Sequence, residues 1–242
     1  MSTGTPGYGA PQNDGYPGAG QPYGYTPPAQ PGVSVGDGMS WAWSRITDNA
    51  VVLLVGFGLW TILGRLGAEA SFTLNGVEYH YGLGIPGGGI ISFVATLISP
   101  IVLAHVGLLT SSGRKADFKD FYTFPNFGQT LLALILSALA IGLGAIFLVI
   151  PGIILYYLFT FVQYAAVEHN LEATAAMRYS MRLLSDNVGV LVPFALVGVL
   201  LHLAGAVTVI GWIVTGPLVA LMTTYAYVRV QGRDVARYPS QG

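Results

Sequence analysis

The chain has 242 residues, of which 53% are hydrophobic and only 9% charged, and its formal net charge is −1. Soluble domains carry about a quarter charged residues, and the apolar residues here fall in long blocks, so the composition excludes one water-soluble core and favours a bilayer as solvent. The near-neutral charge argues against binding to nucleic acid, and the absence of cysteine excludes disulfides and thiolate metal sites.

Residues 1–36 are rich in Pro, Gly, Tyr and Gln and have almost no aliphatic side chains. Such a segment cannot bury enough apolar surface to offset its ordering entropy, so we predict a disordered cytoplasmic tail. Its repeated Gly-Tyr and Pro-Tyr steps could bind protein partners, and a solvated tail without partners is the alternative. Because no basic segment is followed by an apolar core, we expect no cleavable signal peptide.

Residues 37–234 form the predicted transmembrane domain, and 235–242 form a short C-terminal tail. Six apolar segments are predicted to cross the bilayer as helices: 50–66, 89–110, 129–149, 153–167, 188–206 and 211–228. The first is marginally long. The fourth covers about 22 Å of a ~30 Å core, so either its helix continues past Glu168 or the preceding turn lies below the far surface.

The connections between these segments carry their own signals. Asp37 is the predicted cap of a short helix before the first span. Residues 67–88 alternate around Asn75-Gly76, which predicts a β-hairpin of about ten residues. Residues 111–127 mix basic, acidic and aromatic side chains and are predicted to lie at the interface. Ile150-Pro151-Gly152 is predicted to end the third span with a tight reversal.

The basic residues predict the orientation. With six spans and the N-terminus inside, nine of the ten Lys and Arg residues fall on the cytoplasmic side, and only Arg65 falls outside. Because cytoplasmic loops carry an excess of Lys and Arg, this distribution predicts a multi-pass plasma (inner) membrane protein with both termini in the cytoplasm.

A weak internal repeat accompanies this topology. Each odd-numbered span follows a polar or aromatic surface segment that ends in Asn, at Asn49, Asn126 and Asn187. One interpretation is three copies of an interfacial helix followed by a helical hairpin. The alternative is that Asn is a common residue at helix starts, so the three sites converged on it.

Four segments carry a resemblance to a known family over about residues 38–234. They are Trp41-Ala42-Trp43 with Asn49, Gly113 to Phe121 (GRKADFKDF), Ile150 to Ile154 (IPGII), and Ala173, Ala176, Arg178, Ser180 and Asn187. This order resembles bacterial six-helix membrane proteins related to YciC-like proteins and to the membrane domain of some glycerophosphodiester phosphodiesterases. The layout is also similar to actinobacterial proline- and glycine-rich transmembrane proteins. The resemblance implies a bacterial inner-membrane location but no activity and no catalytic residues.

Candidate site residues are few. Ionisable groups inside a membrane are often functional, which singles out His105 and His202. Their predicted depths differ by roughly 13 Å, so they cannot share a metal ion, and neutral histidines bonded to carbonyls are the alternative. Arg178 and Arg182 lie on one face of a predicted interfacial helix, where they could contact lipid phosphates. A basic loop that only fixes topology is the alternative.

No cofactor or metal site is predicted. Five interfacial carboxylates could collect a divalent ion, although pairing with nearby bases is favoured: Asp117, Asp120, Glu168, Glu172 and Asp186. No known catalytic motif is present. The leading hypothesis is therefore a non-catalytic membrane component that recruits or organises partners in envelope or lipid processes, with membrane lipids and tail-bound proteins as partners. A lipid or small-molecule transporter is the alternative, and a headgroup-modifying enzyme would need a cluster that the sequence does not indicate.

Overall fold

The computed structural model describes residues 33–67, 70–74, 77–81, 88–206 and 209–236. The chain is almost entirely helical in these ranges. The helices are α1 (Val35–Asp48), α2 (Ala50–Leu63), α3 (Gly88–Ser111), α4 (Phe127–Phe147), α5 (Val149–Leu158), α6 (Val162–His169), α7 (Ala173–Asp186), α8 (Val188–Ala206) and α9 (Val209–Val230). A 3₁₀ helix, Phe118–Tyr122, and two strands, β1 (Ala70–Leu74) and β2 (Val77–Tyr81), complete the elements.

Five helical segments in the described ranges are long and apolar enough to cross a bilayer, or six if the bent pair α1 and α2 counts as one. The five are α3, α4, α5 together with α6, α8 and α9. Their outward faces carry large apolar side chains, such as Phe93 (66% exposed) on α3 and Leu200 (62% exposed) on α8. Contiguous exposed apolar surface of this kind marks a membrane or protein contact rather than a wetted surface.

The first predicted span differs from the structure. The helix ends at Leu63 and residues 64–67 form a turn, so α2 has 14 residues and is about 21 Å long. α1 meets α2 at an angle of 104°, so it lies across the bundle end rather than extending the span. Asp37 is not the cap of α1. Ser34 is, because its Oγ accepts a hydrogen bond from the Asp37 N–H at 3.1 Å.

The predicted β-hairpin is confirmed. β1 and β2 pair antiparallel, and the register places Leu74 opposite Val77. Two residues therefore connect the strands, as a two-residue hairpin turn requires. Those two residues, Asn75 and Gly76, lie outside the described ranges.

The reversal after the third span occurs earlier than predicted. α4 ends at Phe147, Leu148 has an extended backbone, and α5 begins at Val149. Pro151 is therefore the third residue of α5, where its missing N–H removes no helical hydrogen bond. Gly152 packs on α4, since a Cβ on it would lie 2.9 Å from Ala145 Cα. The fourth predicted span is thus longer, Val149–His169, and it continues past Glu168.

At one side of the bundle, most helix ends carry basic residues. We call this side the basic end. It gathers α1, the end of α3, the 3₁₀ helix, the end of α6, α7 and the end of α9. The chain after α9 is held there, because Ala236 N–H donates to Ser111 O at 2.8 Å, and Ala236 O accepts from Arg45 Nη2 at 3.0 Å. Residues 235 and 236 are therefore bound to the bundle. The opposite end contains the 64–67 turn and the α4–α5 turn.

Two of the three repeat units share the same local structure. α1 and α7 each have 14 residues, and each is followed by one Asn and then directly by α2 or α8. Asn49 N–H donates to Ile46 O at 3.3 Å and Asn187 N–H donates to Leu184 O at 3.4 Å. Asn126 differs: it has a left-handed backbone (φ 48°) after the short 3₁₀ helix. The structure thus supports repetition of the first and third units and places the second apart.

Candidate functional site

A cavity of about 550 Å³ opens inside the helix bundle. Residues from α2, α3, α5, α6, α8 and α9 line it, together with the turn after α2 and the α5–α6 connection. The polar residues of its wall are Thr61, Arg65, Thr96, Ser99, Tyr156, Thr160, Gln163, Tyr164, His202, Thr215 and Thr223. Apolar side chains, including Phe57, Trp60 and Leu103, form the rest. The wall is therefore amphipathic.

The cavity reaches deep into the bundle. Along α9 its wall extends to Thr223, which lies 14 residues after the start of that helix at Val209. At 1.5 Å per residue this is a depth of about 21 Å from the end opposite the basic end. The floor is closed by buried side chains, since Tyr164 is 3% exposed and its hydroxyl donates to Ala220 O at 3.3 Å.

Several hydroxyl groups of the wall donate their hydrogen to their own helix. Thr61 Oγ1 donates to Phe57 O at 2.9 Å and Thr223 Oγ1 donates to Val219 O at 2.8 Å. Such bonds satisfy the hydroxyl without a ligand, which explains how these residues are tolerated in apolar helices. A hydroxyl oxygen keeps acceptor capacity after its hydrogen is donated. The wall is thus polar without strong charge.

One formal charge lies at the mouth of the cavity. Arg65 follows the end of α2, and its guanidinium lies over the ring of Trp212 at the start of α9. Among the described residues that line the cavity there is no Asp or Glu. Arg65 is therefore the formal charge that the described lining contributes.

Of the two predicted intramembrane histidines, only His202 lines the cavity. Its Nδ1 lies 2.9 Å from Gly198 O, and because a carbonyl can only accept, Nδ1 carries the hydrogen. His105 is half-buried in α3, six residues before the end of that helix at the basic end. Their heights along the bundle differ by about 12 Å, close to the predicted separation. Among the described residues no group of three metal-ligating side chains forms.

Arg178 and Arg182 are exposed on α7, away from the cavity. Arg178 Nε donates to Thr174 O at 3.3 Å on the same helix. Met181, on the same helix, is 37% exposed. The buried face of α7 consists of Ala173, Ala176, Ser180, Leu183 and Leu184.

Ser180 has a role that the sequence pattern does not indicate. The helix that runs from Val149 to His169 breaks between α5 and α6, which frees backbone groups at the break. The Ser180 hydroxyl donates to Leu158 O at 2.7 Å and accepts from Phe161 N–H at 3.1 Å. α7 therefore supplies the hydrogen bonds that the broken helix lacks.

Two of the five predicted interfacial carboxylates, Asp120 and Glu168, pair with arginines at the basic end. Asp120 is buried and accepts from Arg114 Nη2 at 2.9 Å. Glu168 receives both Arg233 Nη1 at 2.6 Å and Nη2 at 2.9 Å. Burial lowers the pKa of Arg233, but the bonds to Glu168 outweigh it, so the pKa stays above its ordinary value. These pairs account for Asp120 and Glu168.

A second, larger cleft of about 690 Å³ lies at the basic end between α1, α9 and the chain after α9. It holds charges of both signs, with Asp37 and Asp234 against Arg45 and Arg229. Arg229 pairs with Asp234, and Arg45 binds Ala236 O. These internal contacts make the cleft a weaker ligand site than the cavity in the bundle.

The residues that sequence reasoning missed form short helical stripes. Thr61 and Arg65 are four residues apart, Thr96 and Ser99 are three apart, and the Thr160–Gln163–Tyr164 set has the same spacing. Residues at these spacings share one helix face. Recurring polar residues on one face of several apolar helices are the signal that could have predicted a shared polar cavity.

The chain is similar to the uncharacterized protein Rv2560 of Mycobacterium tuberculosis. The two are 28% identical over 230 residues, covering 84% of this chain and 70% of the relative. The uncharacterized protein Mb2590 of Mycobacterium bovis matches with the same identity and coverage. No protein-family model and no solved structure matches. The resemblance to YciC-like proteins therefore stays a prediction.

Proposed function

We propose that this chain is a non-catalytic, multi-pass membrane protein that binds a lipid or amphipathic small molecule in the cavity and moves it through the bilayer. The observation that carries the proposal is the polar-walled cavity of about 550 Å³. Its depth of about 21 Å exceeds half of a ~30 Å hydrocarbon core. Transporters place their binding sites near the midplane between helical repeats, which is the position that this cavity would occupy.

The wall also fits such a ligand. Most binding sites for small molecules are apolar with a few convergent polar groups, and here Thr, Ser and Tyr hydroxyls alternate with aromatic and aliphatic side chains. The lining contains no carboxylate among the described residues, so a carrier driven by proton or cation binding to Asp or Glu is disfavoured.

Vesicle transport tests this proposal. A Phe at Gly216 would fill the cavity, because a Cβ there meets only Thr61 Oγ1 at 3.4 Å within 4 Å. Gly142 on α4 offers a matched control, since a Cβ there meets nothing within 4 Å. We expect the unaltered chain and Gly142→Phe to accelerate the movement of a labelled phospholipid between leaflets, and Gly216→Phe to lose that activity. Equal rates for all three, or none above protein-free vesicles, would refute transport.

The proposed location is the bacterial plasma membrane, with the basic end in the cytoplasm. The distribution of Lys and Arg supports this orientation. Because the chain has no cysteine, single variants such as Lys115→Cys and Asn75→Cys report topology without background. We expect a membrane-impermeant maleimide added to whole cells to label Asn75→Cys and to spare Lys115→Cys. The reverse pattern would invert the orientation.

Partner recruitment through the tail remains a second hypothesis from the sequence. Its segment, residues 1–36, lies outside the described ranges except for the last four residues. The test compares proteins that co-purify with the full chain and with a chain that lacks residues 1–32. Retention of every partner after the deletion would exclude recruitment by the tail.

A further inference from the structure

We propose that the cavity recognises a lipid whose headgroup carries free hydroxyl groups, and that this lipid enters sideways from the bilayer between α5 and α8. The inference rests on the proposed binding function and adds the headgroup chemistry of the ligand and its route of entry. The hydrogen bonds inside the cavity wall lead to the headgroup, and the shape of the cavity leads to the route.

The first observation is where several polar side chains of the wall use their hydrogens. Thr61 and Thr223 donate theirs to carbonyls of their own helices. Thr160 Oγ1 donates in the same way to Tyr156 O at 3.2 Å. His202 carries its hydrogen on Nδ1, so the Nε2 of the neutral ring is an acceptor. We call Thr61, Thr160, His202 and Thr223, which all line the cavity, the acceptor set.

The acceptor set favours a ligand that donates hydrogen bonds. Each of its hydroxyl oxygens keeps a lone pair after its own hydrogen is donated. A ligand without donors would displace water from these lone pairs without replacing the lost hydrogen bonds, which costs free energy. A ligand hydroxyl replaces them, and sites built in this way reject an analogue that lacks the hydroxyl. Hydroxyl groups are therefore the headgroup chemistry that this wall selects.

The acceptor set is also spread along the depth of the cavity. His202 lies four residues before the end of α8, Thr160 eleven residues after the start of α5, and Thr223 fourteen residues after the start of α9. Measured from the end opposite the basic end, these positions are about 6, 17 and 21 Å deep. A hydroxyl-bearing headgroup that moves inward therefore meets a new acceptor at each level.

The second observation is an opening in the side of the bundle. Tyr156 on α5 and His202 on α8 both line the cavity, yet Tyr156 is 67% exposed and His202 is also exposed. The two helices pack chiefly against different partners, α5 against α4 and α8 against α9. The cavity is therefore accessible from the side of the bundle, between α5 and α8.

The opening continues as an apolar crevice between the same two helices. A second cavity, of about 40 Å³, shares Thr160, Val219 and Thr223 with the main one. Tyr157 of α5 and Phe194 of α8 both line it. An acyl chain matches this crevice, while a hydroxyl-bearing headgroup matches the polar cavity beside it. A free polyol such as glycerol would match the acceptor set but leave the crevice empty.

The test counts lipid bound to the full chain in detergent micelles by native mass spectrometry. One probe is phosphatidylglycerol, whose headgroup carries free hydroxyl groups. The other is phosphatidylpropanol, which has the same charge and the same headgroup carbon chain but no hydroxyl. Because charge and acyl chains are matched, a preference between the two lipids reports the hydroxyl groups. Glycerol is added as the competing free polyol.

The test variant is the double change Thr61→Val and Thr223→Val, which keeps the side-chain shape and removes two acceptors. The matched control is Thr110→Val with Thr130→Val. Thr110 and Thr130 also donate to carbonyls four residues before them, at 2.8 and 2.9 Å, but they do not line the cavity. The double change Thr61→Ser and Thr223→Ser keeps both oxygens. Unfolding temperatures in the same detergent establish that each variant is folded.

We expect the unaltered chain to bind phosphatidylglycerol about tenfold more tightly than phosphatidylpropanol. The double Val variant should lose most of that preference, whereas the double Ser variant and the control at Thr110 and Thr130 should keep it. A phosphatidylglycerol with a photoreactive acyl chain should label peptides of α5 and α8. An excess of unlabelled phosphatidylglycerol should abolish this labelling.

Other outcomes overturn the inference in distinguishable ways. Equal binding of the two lipids by the unaltered chain, or an unchanged preference in a folded double Val variant, would refute the hydroxyl assignment while the proposed function stands. Displacement of the lipid by millimolar glycerol would show that a small polyol is the ligand. Competed labelling confined to other helices would refute entry between α5 and α8. Binding of neither lipid by the unaltered chain would refute the proposed function itself.

Discussion

The two halves of α9 pack in opposite ways. From Leu218 to Val230 nearly every side chain is buried, and Tyr227 lies in an aromatic cluster with Phe161 and Tyr164 at ring-centroid distances of 5.2 Å. Before Leu218, residues 211–216 are only half-buried. Three of them line the cavity, whose inner wall continues to Val219, Ala220 and Thr223 in the packed half. One continuous helix thus joins a closely packed half, toward the basic end, to an open half.

Because of this difference, we expect the packed half to contribute to stability and the open half to contribute to ligand binding. The part of the molecule toward the basic end also contains the ion pair of the buried Asp120, the Ser180 bonds to the helix break and the contacts of Ala236. The open half provides the space and the hydroxyl groups of the cavity. Sites that bind ligands are generally drawn from the less tightly packed parts of a protein. Substitutions in the packed half should therefore change stability, and those in the open half should change binding.

The largest effect on stability is expected at Gly56. A Cβ at this position of α2 would fall on the buried ring of Phe121, which also packs edge-on against Phe57 at 5.3 Å. Gly56→Leu should destabilise the protein by about 3 kcal/mol or more, because a packed core cannot accept the extra volume. Thermal unfolding in detergent measures this. Gly142→Leu is the control, and equal unfolding temperatures would show that the region around Phe121 is not closely packed.

The next largest effect is expected at Ser180, whose hydroxyl is fully buried. Ser180→Ala leaves Leu158 O and Phe161 N–H without their partner. The expected loss is about 2 kcal/mol, the cost of unsatisfied buried backbone groups. Ser185→Ala, on the exposed face of the same helix, should cost little. If the two variants unfold alike, the helix break does not depend on α7.

A smaller effect is expected at Asn49, where α1 turns into α2. Asn49 Nδ2 donates to Ala116 O at 2.8 Å and so joins the first repeat unit to the segment before the 3₁₀ helix. Asn49→Ala should destabilise by about 1 kcal/mol, the net worth of one hydrogen bond. Thr47→Ala, exposed on α1, serves as control in the same melt. An unchanged melting curve for Asn49→Ala would show that the hydrogen bond to Ala116 does not stabilise the protein and that Asn49 only marks the boundary between α1 and α2.

The smallest effect on stability is expected for the double change Arg178→Gln and Arg182→Gln. Both side chains are exposed, and an exposed charge contributes little to folding. Their predicted lipid contact should appear instead as weaker association of α7 with anionic headgroups, about 1 kcal/mol per arginine. A peptide of residues 170–187 bound to phosphatidylglycerol vesicles measures it. Equal affinity of the unaltered and double-Gln peptides would exclude phosphate contact.

Local signals in the sequence predicted much of the fold. Asn75-Gly76 predicted the hairpin because a two-residue turn has few chemical solutions. The bounds of α8 were predicted at 188–206, since a polar helix ends at Asn187 directly before an apolar run. The prediction at Pro151 was wrong because proline occurs both in chain reversals and in the first turn of a helix. Here Pro151 lies in the first turn of α5.

Local signals could not predict which distant residues come together in space. The α5–α6 break depends on Ser180, about twenty residues further along the chain. The cavity depends on six helices meeting, and each contributes only one or two polar residues. Arg65 was treated only as the one basic residue outside, and its place beside Trp212 follows from packing that no spacing rule encodes. The functional site was therefore harder to predict than the elements that form it.

Lipid binding by the cavity-filled variant tests the central claim most directly. Native mass spectrometry compares phosphatidylglycerol bound to the unaltered chain, to Gly216→Phe and to Gly142→Phe, with unfolding temperatures recorded in parallel. We predict that Gly216→Phe stays folded and binds at least tenfold more weakly, while Gly142→Phe binds like the unaltered chain. Equal binding by folded Gly216→Phe would contradict the claim that the cavity holds the ligand.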